Sequence, residues 1–390
     1  VKKIAVVLAL SGALVAFSVN AQSSVTLYGL IDAGLMYTNN VVKGATSGSL
    51  FQATSGDING SRWGLRGGED LGGGLKAIFV LESGFSVQNG RLAQDGREFG
   101  RQAYVGVSST QFGTVTLGRQ YDLLVDFVEP LAGTAGTFGD AGFAHPFDND
   151  NLDHSVRMNN AVKYTSIDYG GLKFGGLYAF SNSTDFAINR AYSVGASYAF
   201  GPLNFAAGYL QINGSAGTTA TSPGAVDVNE SAANGTGGFQ LGADIQRTFG
   251  AGLNYTFGPA VIGFVYTHSQ FQGTTSFSQS NGNNSGTMRF DNFELNGKYA
   301  LTPALGLGIA YTYTDGHVGN GSNTPYGSDP KWHQVNLQTV YSFSKRTDVY
   351  AEAMYQHVIG HNYVAFVNTA GGAASTANQV VATVGLRTRF

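Results

Sequence analysis

The sequence predicts an all-β protein: a sixteen-stranded antiparallel transmembrane β-barrel with short turns on one side and long loops on the other. Two observations carry the barrel itself. Apolar and polar residues alternate with a period of two along most of the chain, and short connections alternate with long ones. Period two places successive side chains on opposite faces of a strand. In lipid, only closure satisfies the backbone of a sheet.

The final strand sets the pattern. Val380, Ala382, Val384, Leu386, Thr388 and Phe390 share one face, and Val381, Thr383, Gly385, Arg387 and Arg389 share the other. An aromatic, unblunted edge suits a barrel seam with Phe390 at the bilayer rim better than a soluble sheet. Leu172, Phe174, Gly176, Tyr178 and Phe180 alternate with Lys173, Gly175, Leu177 and Ala179. Tyr192 to Phe200, Phe293 to Ala300, Leu305 to Thr314 and Gln334 to Phe343 repeat the pattern. The apolar faces often finish in Tyr or Phe, as a strand does on leaving hydrocarbon for headgroups. The other faces are Gly, Ser, Thr, Asn and Gln, which suits a water-filled lumen.

Short turns are expected at 67–70, 108–111, 168–171, 201–202, 258–259, 301–303 and 344–346. Long loops are expected near 39–58, 86–97, 121–155, 181–190, 212–240, 270–287, 315–331 and 358–377. Seven turns and eight loops join sixteen strands, an even number wide enough for an aqueous channel. All eight prolines fall in turns or loops, as the missing N–H requires.

Targeting and composition fix the setting. Lys2 and Lys3 precede an apolar run, Ile4 to Val19, and small residues follow at Val19-Asn20-Ala21. Residues 1–21 are expected to be a secretory signal peptide, removed to leave a barrel domain over 22–390. The chain has no Cys and is 12% charged, 12% aromatic and rich in Gly. The aromatic content argues against disorder. Losing Lys2 and Lys3 takes the formal charge from −3 to −5, too mild to imply a nucleic-acid partner. No nucleophile motif of the Gly-x-Ser-x-Gly kind is present, so an enzyme is not expected. Asp148-Asn149-Asp150-Asn151 with Asp153 offers clustered oxygens for Ca²⁺ but lacks the glycine and terminal Glu of an EF-hand loop. No metal or other cofactor is expected.

Several motifs in order carry a family resemblance: Ser24 to Gly34 (SVTLYGLIDAG), Ser61 to Gly67 (SRWGLRG) with Glu69-Asp70-Leu71-Gly72, Gly100 to Gly106 (GRQAYVG), Phe112 to Gln120 (FGTVTLGRQ), and the terminal Phe390. Together they resemble the general Gram-negative porins of betaproteobacteria, over the whole mature chain. The resemblance implies a homotrimer in the outer membrane, surrounded by its lipid, with the third loop folded into the pore, that passes small hydrophilic solutes and ions passively. It also implies that Phe390 ends an assembly signal read by the outer-membrane insertion machinery. A substrate-specific channel of the same shape is the alternative, with a lipase- or protease-like barrel behind it.

Strand parity puts Arg62, Arg66, Lys76, Glu82, Arg157 and Lys163 on the lumen side. With Tyr104 facing outward, Arg101 also faces in. The resemblance places Arg62, Arg101 and Arg157 in a basic cluster at the constriction, with Arg119 at the mouth of the third loop. Glu82, Asp122, Asp126 and Glu129 are the expected acidic side; Asp140, Asp148, Asp150 and Asp153 follow in the same loop. The family's acidic loop-tip motif has its nearest match at Glu129-Pro130-Leu131-Ala132-Gly133. Opposed charges across a narrow pore set ion preference, and three guanidiniums suggest a weak preference for anions.

Overall fold

The computed structural model describes residues 24–134, 139, 141–214, 224–226, 241–274, 286–319 and 326–390. The expected signal peptide and Asp140 lie outside the described residues. Strands β1 to β6 span Ser24–Lys43, Thr46–Ser55, Arg62–Gly72, Leu75–Gly84, Gln102–Ser109 and Gly113–Gln120. Strands β7 to β12 span Met158–Thr165, Leu172–Ala179, Ala191–Phe200, Leu203–Asn213, Ile245–Phe257 and Ala260–Thr274. Strands β13 to β17 span Gly286–Ala300, Leu305–Gly319, Lys331–Ser342, Thr347–Ile359 and Asn378–Arg389.

All seventeen described strands form one antiparallel sheet, closed by β1 against β17. They occupy sixteen positions, because β2 and β3 share one. The upper half of β1, from Ala33 to Lys43, pairs with β2, and Ser24 to Leu30 pairs with β3. Between β2 and β3 the chain leaves the ladder at residues 56–61 and folds against Asp32. The Asp32 carboxylate accepts backbone N–H bonds from Ile58 (3.1 Å) and Asn59 (2.9 Å). These bonds satisfy donors that the interrupted ladder leaves open.

At the seam, Leu30 to Thr38 pairs with Arg389 to Val381. Phe390 adds two backbone bonds with Gly29, at 3.0 and 3.1 Å, and its ring lies over that glycine, where a Cβ would stand 2.5 Å from Cζ. Alternation holds on the last strand: Val380, Val384 and Leu386 are exposed to the exterior, while Val381, Thr383 and Arg387 are buried within the barrel. Tyr198, Phe200, Tyr255, Phe257, Tyr299, Tyr341 and Phe343 are exposed on the outer face near the short turns, forming an aromatic girdle.

Three sequence expectations change. Residues 39–55, expected as loop, extend β1 and β2 into a hairpin turned at Gly44, whose φ is 58°. The turn expected at 67–70 lies at Gly73 and Gly74, which take left-handed φ of 60° and 81° while β3 continues to Gly72. Tyr104, expected outward, shares the inner face with Gly106, because Val105 and Val107 are the exposed residues of β5.

The described residues of the third loop, 121–134, 139 and 141–157, turn into the barrel and pack on its wall. Its short helix α1 (Leu123–Phe127) buries Leu123, Leu124 and Phe127. The seat is a row of glycines on neighbouring strands: Gly175 pairs with Gly195, Gly195 with Gly208, and Gly208 with Gly250. A Cβ at Gly195 would lie 2.8 Å from Phe127 Cδ2, and one at Gly208 or Gly250 would lie 3.1 Å from Leu124 Cδ2. A bulky residue in this row would hold the helix off the wall. Each apolar side chain seated here contributes about 2 kcal/mol. Farther along the loop, Phe147 takes φ 64° and inserts among Phe290, Trp332 and Phe366, with ring centroids 5.8–6.4 Å away.

Gly208→Leu is therefore expected to displace α1 into the lumen and lower single-channel conductance in a planar bilayer. Gly176→Leu, on a glycine with open space around it, should leave conductance at the wild-type value. Equal conductance for all three proteins would contradict the docking.

Candidate functional site

The lumen wall near the third loop carries the charged residues. Arg62 opens β3, half-buried, and its Nε donates to the Gly60 carbonyl at 2.8 Å. Arg101 sits at the bend before β5, outside the strand ladder, so strand parity does not govern it. It is buried, pairs with Glu82 at 2.8 Å, and donates to Tyr121 Oη at 3.0 Å. Arg157 precedes β7 and lies over the Tyr121 ring, 5.6 Å from the centroid. Burial first, then Arg157, Arg101 and Arg62, hold the His154 imidazole well below its usual value. All three arginines thus act on one point of the third loop.

Arg119 has a different place. Its Nε donates to the Gly100 carbonyl at 2.8 Å, and Nη1 donates to Asn159 Oδ1 at 2.5 Å. These bonds tie the end of the second long loop to the start of β7.

The acidic residues do not form an opposing wall. Glu82 stands beside Arg101 on the basic wall and also accepts from Tyr28 Oη at 3.0 Å. Register explains this, since Glu82 on β4 lies opposite Gln102, the neighbour of Arg101. Asp122 caps α1, accepting from Leu124 N at 2.7 Å and from Asn151 Nδ2 at 2.8 Å. Burial pushes its carboxyl up to about 6. Asp126 is paired with Lys163 at 2.7 Å. Glu129 lies 3.6 Å from His154 Nδ1. Burial, then Asp153 and Asp148, push its carboxyl well above the usual range.

The rest of the loop's acids are internal ties. Asp148 accepts backbone bonds from Asp153 (2.9 Å) and Ser155 (3.1 Å). Burial and the Asp153 charge raise its carboxyl well above the usual value, and burial raises Asp153 to about 7. Among the described residues, no group of three or more His, Cys, Asp or Glu could hold a metal ion.

A histidine that the sequence reading did not single out fixes the loop to the far wall. His145 Nδ1 lies 2.5 Å from Asp150 Oδ2, and Nε2 lies 3.3 Å from Glu294 Oε2 on β13. Burial opposes its charge, but Asp150 and Glu294 outweigh burial and push the imidazole up to about 10. Thr267 donates to Asp150 at 2.6 Å, Gly133 N donates to Glu294 at 2.8 Å, and Asn292 bonds Asn149 at 2.9 Å. A histidine in an aperiodic loop gave no signal to find it by. Arg387 was legible as an inward residue of the last strand. It pairs with Asp348 at 3.1 Å, and Arg389 meets the same carboxylate at 2.7 Å.

A closed sheet with an apolar exterior and a charged loop docked inside defines a loop-constricted transmembrane channel. A family model described as Gram-negative porin matches residues 5–360. An outer membrane porin protein of Bordetella pertussis is 34% identical over 367 residues, covering 86% of this chain and 89% of the relative. Outer membrane porin protein 32 of Delftia acidovorans is 29% identical, covering 90% and 87%. Among solved structures, an anion-selective porin from Comamonas acidovorans superposes with a TM-score of 0.71 at 24% identity, covering 94% of this chain and 100% of that one. The chain belongs to the Gram-negative porin family. It is an outer-membrane channel of the general diffusion type rather than an enzyme.

The His145 value is above the unfolded value near 6.5, so its stabilisation is full below that pH and is lost as pH rises through about 10. Wild-type channels should therefore become noisier above pH 10. His145→Asn leaves two buried carboxylates without their cation, a loss of about 3 kcal/mol, and should show that noise at neutral pH. Quiet recordings from the variant would contradict the latch.

Proposed function

We propose that this porin prefers anions weakly, works as a homotrimer, and is exported by a signal peptide over residues 1–21. Phe390, bonded into the seam through Gly29, would end the segment read by the outer-membrane insertion machinery. The observation that carries the ion preference is where the carboxylates go. Glu82, Asp126 and Asp348 are each matched by a neighbouring cation. Asp148 is buried and Glu129 and Asp153 are half-buried, and burial pushes all three carboxyls up, Asp153 to about 7. Arg62, Arg66, Arg157 and Lys298 have no carboxylate within ion-pair distance among the described residues. The uncompensated charge on the wall that carries Arg62 and Arg157 is therefore positive although the chain is negative overall. Screening over ~10 Å at ~0.1 M salt keeps the preference weak.

Arg62→Ser with Arg157→Ser should move the reversal potential across a KCl gradient toward cations and raise conductance. Adding Arg101→Ser should move it further, since Glu82 then loses its partner. An unchanged reversal potential in both variants would contradict the basic-wall reading.

A further inference from the structure

One stretch of the lumen wall is not built for water alone. Register aligns Thr26, Arg66, Val80 and Tyr104 in a row across β1, β3, β4 and β5. All four share the inner face with Glu82 and Gly106. The neighbouring row holds Gly68, Ile78 and Gly106. Two aliphatic side chains thus face the lumen, Ile78 between Gly68 and Gly106 and Val80 between Arg66 and Tyr104. Both are only half-buried.

Arg66 stands at one end of this apolar strip. It is exposed, has no hydrogen-bond or ion-pair partner among the described residues, and lies over the Tyr28 ring, 5.1 Å from the centroid. Tyr28 is itself fixed by its bond to Glu82 and by Gly64, whose Cβ would stand 2.8 Å from Tyr28 Cζ. Stacking orients the planar guanidinium and leaves its donor fork open to a carboxylate. At the other end stands Tyr104, half-buried and two strands away, about 10 Å at the usual strand spacing.

We propose that Arg66, Val80, Ile78 and Tyr104 form a station that retains aromatic carboxylates on their way through the channel. The carboxylate would take the Arg66 fork. The ring would lie on Val80 and Ile78, with its edge toward Tyr104. A small inorganic anion gains only the charge of Arg66, which water and salt screen. An aromatic carboxylate also removes apolar surface of the strip from water. The proposal rests on the anion-conducting reading above and names the solute that the wall selects.

The test uses the purified channel in a planar bilayer with KCl, adding benzoate or acetate as sodium salts. Benzoate should reduce the single-channel current at about a tenfold lower concentration than acetate, the ratio expected from burying part of one ring. Arg66→Gln should abolish the difference. Tyr104→Ser or Val80→Ser should reduce it several-fold while leaving the KCl reversal potential unchanged. Equal effects of benzoate and acetate on the wild type, or a benzoate effect that survives Arg66→Gln, would overturn the station. A wild-type reversal potential favouring cations would instead overturn the anion preference, whatever benzoate does.

Discussion

The channel's architecture depends on the close approach of one short helix to the barrel wall. A loop inside a water-filled barrel gains nothing by staying there unless it buries apolar surface. Leu123, Leu124 and Phe127 supply that surface, and Gly175, Gly195, Gly208 and Gly250 supply the room. The glycines must be cross-strand neighbours, because a helix lying across strands meets one residue from each. Sheet register, set at hairpins far from the loop, therefore decides whether the loop can dock.

Docking in turn decides the electrostatics. Once α1 is seated, Asp122 is committed to capping it, and Asp148 is committed to the backbone of Asp153 and Ser155. His145 is drawn between Asp150 and Glu294, which converts two acids and a base into a tie to β13. Burial then suppresses charge on Glu129 and Asp153. On the proposed anion preference, a loop rich in aspartate then contributes little negative field beside the arginines of β3 and of the segments before β5 and β7.

The barrel was legible in the sequence because period-two alternation survives in every strand that meets lipid on one side. Strand parity placed Arg62, Glu82 and Lys163 on the inner face without further help. It failed twice near β5: Arg101 lies at a bend outside the ladder, and Tyr104, within it, faces inward because an aromatic is as acceptable in this lumen as on the rim. Composition on the inner face was ambiguous in another way. Gly195 and Gly208 suit an aqueous wall and a helix seat equally well, and only their alignment across strands separates the two. The fates of the loop acids were not legible, because they depend on tertiary partners such as Asn151, Thr267 and Glu294 that no local pattern links to them. His145 was missed for the same reason.

The most direct measurement is a cross-link between the loop helix and its seat. A Cβ at Gly208 would stand 3.1 Å from Leu124 Cδ2, an atom that Leu124→Cys removes, leaving the space for two sulfurs. A Leu124→Cys, Gly208→Cys double variant should form an intramolecular disulfide on oxidation of the folded channel, seen as a shift in denaturing electrophoresis that reductant reverses. Two thiols that stay free in the folded, oxidised channel would contradict the docking of the third loop on the glycine row, and with it the placement of the loop's charges.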